Sequence, residues 1–277
     1  TDVADLDYSK PGLRKYMIEM MRWWVKDIGI DGFRCDVAEL VPTDFWEEAR
    51  EKLNRIKPVM MLSEGSIPEH HVKAFDLTYS WNLYDLLGPL LTGGRPVTAL
   101  DAIFRMEQLL YPTGSLRMRF NTNHDKNAWD SPAVLKYGKD GLKLTAVLIN
   151  TIPGVPMMYT GEEAANGRKL SLFEKVEVDW RKSREMGGLY KTLFVLRRDH
   201  KALSRGELVR VQSSTPADVY AFFRIAGNDK IFTVLNFAPE PRTDTLRIPI
   251  EKIFPGQRKM VLKEVFTGRR LEVTAAE

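Results

Sequence analysis

At 277 residues with 44% apolar content, the chain is long enough to bury a core and to hold more than one domain. Its 41 basic and 37 acidic side chains leave a net charge of +4 spread along the sequence, without the clustered basic stripe that nucleic-acid binding needs. No uninterrupted apolar run approaches the ~18 residues of a membrane span, and the single Cys35 excludes an internal disulfide while leaving the redox compartment, and hence the localisation, open.

Ser9 followed by Pro11 reads as an N-cap and an early proline. They open a helix through Tyr16, Met17, Met20, Met21 and Trp24 to about Asp27, which Gly29 ends. A strand from Ile30 to Val37 follows, then a helix from about Asp44 to Ile56 and a strand from Val59 to Ser63. Phe75 to Tyr79 reads as a strand with a helix from Val97 to Leu110 behind it. Met118 to Thr122 is a strand, Gly141 to Asn150 a helix and Val155 to Tyr159 a strand. Strands alternating with amphipathic helices predict βαβ units and a parallel sheet. After a helix from Leu189 to Arg198 the pattern changes to short β runs, at Val209 to Val211, Val219 to Phe223, Ile231 to Leu235 and Met260 to Leu262. That predicts an α/β domain over residues 1–202 and an antiparallel β domain over 203–277. The basic runs Arg181 to Arg184, Arg197-Arg198 and Arg269-Arg270 read as solvated surface.

The chemistry-bearing positions sit at strand ends. In Gly32-Phe33-Arg34-Cys35-Asp36 the arginine and the aspartate are two residues apart, so they share one face of the strand. A guanidinium at that distance keeps the carboxylate ionised and available as a nucleophile. Glu64 ends the apolar run Val59 to Leu62 with no adjacent cation in sequence, a setting that predicts a raised pKa and a general acid. Asp125 ends Phe120-Asn121-Thr122-Asn123-His124-Asp125. Acids at the C-terminal ends of successive strands are what a parallel α/β barrel needs for an active site. Cys35 alternates to the opposite face, as a small buried residue against a helix. His70-His71 lies in a polar loop after Pro68, with no acidic or cysteine partner at metal-ligand spacing, so no metal site is expected.

In this order, the three segments resemble the α-amylase family of glycoside hydrolases (family 13-like), retaining (β/α)8 enzymes acting on α-glucans. The resemblance implies that Asp36 is the nucleophile at the end of strand four and Glu64 the acid/base at the end of strand five. It puts Asn123-His124-Asp125 at the end of strand seven, Asp125 stabilising the transition state and His124 contacting sugar hydroxyls. Val3-Ala4-Asp5-Leu6-Asp7 is similar to a short family phrase ahead of strand four, and Gly154 to Glu163 to strand eight. Arg34, Asn123, Glu39 and Trp81 join the substrate-contacting set, and Tyr79, Trp81 and Tyr84 can stack on sugar rings or pack the rim. Where many amylases carry Lys-His after the nucleophile, this chain has Glu39-Leu40, so its reducing-end subsites should differ.

The family's other Asn-His phrase, from strand three, has no counterpart among His70, His71, His124 and His200. The expected architecture is therefore a partial (β/α)8 TIM barrel, strands four to eight, followed by a small antiparallel β-sandwich. The implied function is retaining hydrolysis of α-glucosidic bonds in starch-like glucans or maltooligosaccharides, with the fragment inactive alone. α-Glucan transglycosylation, or a non-catalytic carbohydrate-binding or partner subunit, are the alternatives, the last opposed by retention of all three acids. No cofactor is required, and calcium is possible in a full-length enzyme. Exposed half-barrel edges predict self-association.

Overall fold

The structure, a computed structural model, describes residues 5–181, 183–257 and 259–274, so Val3 and Ala4 of the opening motif lie outside the described residues. Helix α1 (Pro11–Trp23) has Pro11 in its first turn as expected, but its N-cap is Lys10. Ser9 is drawn into a turn instead, its N–H donating to Asp7 Oδ1 at 3.0 Å. The helix runs into a π turn, Trp24–Ile28, which stops at Gly29 with φ 84°, a left-handed conformation that glycine adopts without a Cβ clash. Strand β1 (Gly32–Cys35) is shorter than its apolar run, because Val37 turns out of the sheet at φ 42°. There follow α2 (Thr43–Asn54), β2 (Met60–Ser63), α3 (His70–Lys73), β3 (Leu77–Tyr79), α4 (Trp81–Leu91), α5 (Ala99–Leu110) and β4 (Leu116–Phe120). Then come α6 (Ala133–Thr151), interrupted at Gly138, β5 (Val155–Met157), α7 (Arg184–Asp199) and α8 (Lys201–Arg205). The tail holds β6 (Glu207–Ser213), β7 (Val219–Ala226), β8 (Asp229–Asn236), β9 (Leu246–Arg247), α9 (Ile250–Ile253), β10 (Lys259–Lys263) and β11 (Arg270–Thr274).

Two compact units result. The first joins Thr1–Leu83 to Ala102–Arg119. In it β1 to β4 pair in chain order, all parallel, with Arg34 opposite Leu62, Leu62 opposite Leu77 and Thr78 opposite Arg117. One face is covered by α1 and α2, whose Ile18, Met21, Phe45 and Leu53 pack with Met61 and Phe75. Gly32 faces Met60 in this ladder, and a Cβ there would stand 2.0 Å from the Met60 carbonyl oxygen. Close backbone approach therefore explains the glycine that opens the Gly-Phe-Arg phrase.

The second unit joins Tyr84–Asp101 to Phe120–Glu277. It contains α6, β5 and α7, and an antiparallel sheet in the order β8-β7-β6-β9, with β10 and β11 as a separate hairpin. Asp101 belongs here because its carboxylate accepts from Arg210 Nε at 2.9 Å and Tyr220 O–H at 2.8 Å. Arg224, 2% exposed, donates to the Thr151 and Gly206 carbonyls, so a charged side chain is tolerated in the core by main-chain acceptors. Arg197 departs from the solvated role expected for it. Half-buried, it donates to the carbonyls of Asn150, at 3.1 Å, and Gly154, close to the end of α6 where unpaired carbonyls accumulate. Arg198 meets the expectation, exposed and paired with Asp199.

Candidate active site

Asp36 and Glu64 each stand one residue beyond a strand, and Cys35 and Ser63, the residues before them, are register partners. Parallel neighbours in register bring the two carboxyl groups out side by side. One guanidinium serves both. Arg34 Nη1 donates to Asp36 Oδ1, and Arg34 Nη2 lies 2.7 Å from Glu64 Oε1. Its Nε donates to the Tyr79 hydroxyl at 3.4 Å. Burial opposes the charge of Arg34, but the bonds to Tyr79 and Asp36 outweigh it and raise the guanidinium pKa. The apolar setting expected for Glu64 is therefore replaced by a cation from the neighbouring strand. Asp36 is open, its side chain 73% exposed, whereas that of Glu64 is 13% exposed.

Glu64 is clamped on every side. Its N–H donates to the Cys35 carbonyl at 2.9 Å, its carbonyl accepts from Ala38 N–H at 3.2 Å, and Oε2 accepts from Val37 N–H at 2.8 Å. The left-handed turn at Val37 is what aims that N–H, and a β-branched residue adopts it only at a cost of order 1–3 kcal/mol. The next turn adds a second tie. Glu39 Oε1 accepts from both the N–H and the hydroxyl of Ser66, and a Cβ on Gly65 would meet Glu39 Cγ at 2.6 Å. Glu39 thus lies against the loop that follows Glu64.

Trp81 opens α4 and stacks on Tyr79, ring centroids 5.1 Å apart at 27°. Tyr84, in the second unit, is buried and stacks on Phe120 instead. Cys35 points into the core as its alternation predicts, and burial pushes its thiol up to about 12, against the opposing effect of Arg34. The two histidines bind hydroxyls, His70 Nδ1 to Ser63 Oγ at 2.8 Å and His71 Nε2 to Thr78 Oγ1 at 2.7 Å. Burial lowers both, His71 to about 4, with Arg117 adding to the shift there.

The second unit gathers Asn123, His124 and Asp125 in the turn after β4. His124 Nε2 is 3.4 Å from Asp125 Oδ2, and Asn123 Oδ1 accepts from Lys126 N–H at 2.8 Å. Asn123 is buried, while His124 and Asp125 are half-exposed. Behind this turn lies a group that sequence reasoning missed. Glu162, 5% exposed, accepts from the Tyr190 hydroxyl, from Tyr159 N–H at 3.3 Å and from Asn121 Nδ2 at 3.5 Å. The only signal in sequence was a Glu-Glu pair after a strand, which reads equally as surface. Among the described residues no three His, Cys, Asp or Glu side chains converge to hold a metal ion, and no described helix is long and apolar enough to cross a membrane.

Known proteins are similar to this chain. Residues 1–82 match the family model described as alpha amylase, catalytic domain. Over 251 residues the chain is 29% identical to the alpha-amylase MalA of Haloarcula japonica, covering 87% of this chain and 36% of that protein. It is 25% identical to a cyclomaltodextrinase of Geobacillus thermopakistaniensis, covering 98% of this chain and 46% of the other. A crystal structure of the maltogenic alpha-amylase AmyB from Thermotoga neapolitana superimposes with a TM-score of 0.88 at 32% identity, over 99% of this chain and 64% of that one. The chain thus spans a third to a half of these curated relatives, and its architecture is that of their TIM-barrel fold with a β region.

Proposed function

This chain belongs to the α-amylase family of glycoside hydrolases, and on that premise we propose that it is the part of a longer enzyme that carries the acids for retaining hydrolysis of α-glucosidic bonds. Starch-like glucans and maltooligosaccharides are the substrates. Strands β1 to β5 stand as strands four to eight of the barrel, and β6 to β11 as the C-terminal β-sandwich. The observation that supports this most directly is Arg34 held between Asp36 and Glu64 at neighbouring strand ends. Two carboxyl oxygens on the two terminal nitrogens of one guanidinium are compatible with the ~5 Å separation of a retaining pair.

Asp36, the more open of the two, attacks the anomeric carbon and forms a glycosyl ester. Glu64 gives its proton to the leaving oxygen and then takes one from the water that cleaves the ester. Asp125 offsets the positive charge that develops on the sugar ring, and His124 and Asn123 contact hydroxyls. Glu39, held on Ser66, shapes the reducing-end side, and Trp81, stacked on Tyr79, offers a ring face to a sugar. None of these steps calls on a metal ion.

With that longer enzyme and a maltooligosaccharide, proton NMR in the first minutes should show the α-anomer released before mutarotation. Initial release of the β-anomer would remove the reading, and products longer than the substrate would favour transfer over hydrolysis. The exposed apolar side chains of α1 and its π turn, Tyr16, Trp23, Trp24 and Ile28, support self-association of the isolated chain. Sedimentation should find it above monomer mass, and a concentration-independent monomer would refute that.

A further inference from the structure

Glu162 ties three elements of the second unit together. Its carboxylate receives Tyr190 from α7, the main chain of Tyr159 after β5, and Asn121 one residue beyond β4. Asn121 is fully buried, its carbonyl accepts the Tyr137 hydroxyl at 3.2 Å, and only Thr122 separates it from Asn123. Two atoms here are unsatisfied. Asn121 Oδ1 and Asn123 Nδ2 are buried without a hydrogen-bond partner among the described residues. A buried amide oxygen without a donor is costly, and it becomes useful only when a donor is supplied.

We propose that Glu162 is a proton-controlled positioning residue for the turn that bears Asn123, His124 and Asp125, acting through the side-chain amide of Asn121. When Glu162 is ionised, Asn121 Nδ2 donates to it and Oδ1 is left over. Protonation replaces a lone pair of Glu162 with an O–H. Rotation of the Asn121 amide then lets Oδ1 accept that hydrogen, and Tyr190 O–H keeps donating to a carboxyl lone pair. The amide of Asn121 therefore has two arrangements, each matched to one protonation state. Burial pushes Glu162 up to about 7, against the donors from Tyr190, Tyr159 and Asn121. The titratable groups acting on it are Tyr190 from α7, Tyr137 from α6 and Glu163 beside it in the chain. Both tyrosines are raised by burial first, and then by Tyr84 and Glu162 at Tyr137 and by Glu162 at Tyr190, so they stay neutral while Glu162 titrates.

The sign follows from the raised pKa. Between its ordinary value and about 7, Glu162 is protonated in the folded chain and ionised in the unfolded one. Folding therefore takes up a proton there, and its contribution is full at low pH and lost as pH rises through that window.

This inference rests on the catalytic reading of the turn, but its test does not need turnover. In the full isotope-labelled chain, NMR follows the Glu162 carboxyl carbon, the Asn121 side-chain amide and the Lys126 backbone amide from about pH 5 to about pH 9. All three should share one midpoint. In Glu162→Gln, which imitates the protonated acid, the two amides should be flat with pH, and the melting temperature should lose the decline that the native chain shows as pH rises from about 5 to about 7. Tyr190→Phe removes a donor to the carboxylate and should move the shared midpoint up, which decides the matter even where Glu162→Gln does not fold. Amides that titrate unchanged in Glu162→Gln, or that stay flat while Glu162 titrates, would overturn the proposal. Asp125→Asn in the longer enzyme separates the two readings. Undiminished activity would remove the catalytic role of the turn and leave the proton coupling standing, whereas flat amides remove the coupling alone.

Discussion

Glu64→Gln should lower turnover of a maltooligosaccharide by about 10²–10⁴-fold, the range expected when a positioned general acid is lost. The substitution keeps the shape of the side chain but not its proton chemistry. Arg34 Nη2 is ion-paired with Oε1 of the native carboxylate at 2.7 Å and Val37 N–H donates to Oε2, and a glutamine can offer its oxygen to only one of them. The other donor then faces an NH2 group, at a cost of about 1–3 kcal/mol in stability. A fold change of that size is measurable separately by unfolding, so it does not obscure the kinetic effect. The discriminating readout is the leaving group. A maltosyl fluoride departs without protonation, so on it the Glu64→Gln variant should recover much of its loss in the first step, while Asp36→Asn should remain inactive on both substrates. Equal first-step losses of Glu64→Gln on the two substrates would show that Glu64 only positions Arg34 and Val37, and would return the acid role to another group.

The strand-end acids were legible because strand alternation is local. Two residues of spacing suffice to pair Arg34 with Asp36, and that contact is present. The contact between Arg34 and Glu64 was not legible, because it joins residues thirty positions apart through the β1–β2 register. For the same reason the sequence predicts for Glu64 an apolar setting that it does not have. Helix α4 is not legible in the sequence, since its aromatic start, Trp81 to Tyr84, reads as rim packing, and Pro89 argues against a helix that tertiary packing nonetheless holds. The lost cap at Ser9 and the early end of β1 at Cys35 have local causes, in Asp7 and Val37, which propensity does not rank. Strand β4 begins at Leu116, ahead of the expected Met118 to Thr122, because Arg117 looks like surface, as does Arg119 within the strand. They are instead among the most buried side chains of the chain, Arg117 at 4% and Arg119 at 1% exposure. Their partner sits on another element, Glu107 of α5, and nothing in the local sequence announces it.

That partner makes the second large prediction. Arg119 donates twice to Glu107, Nη1 to Oε1 at 2.8 Å and Nη2 to Oε2 at 2.6 Å, and Arg117 Nε lies 3.5 Å from Oε1. Arg117 is further held by Thr78 Oγ1 at 2.5 Å and by the Tyr111 ring, 4.3 Å from its guanidinium carbon, whereas the carboxylate is the anion that balances Arg119. Glu107→Gln keeps the volume and one acceptor but removes the negative charge from a buried ion pair, and should cost about 3–5 kcal/mol of stability. The loss should come from the stranded charge rather than from the missing bond. Glu107→Leu combined with Arg119→Met removes both charges and fills the same space, so it should recover most of the loss, to within about 1–2 kcal/mol of the native chain, since a buried pair contributes little net once its desolvation is counted. Urea unfolding of the native chain, the single variant and the double variant gives the comparison. A single variant within about 1 kcal/mol of native would show that water already reaches Arg119, which its burial argues against. A double variant as unstable as the single would assign the loss to packing between α5 and β4 instead of charge. Because this pair fixes α5 against the strand next to β3, and β3 carries the Tyr79 that binds Arg34, the same substitution should also loosen Arg34, and with it the clamp on Glu64.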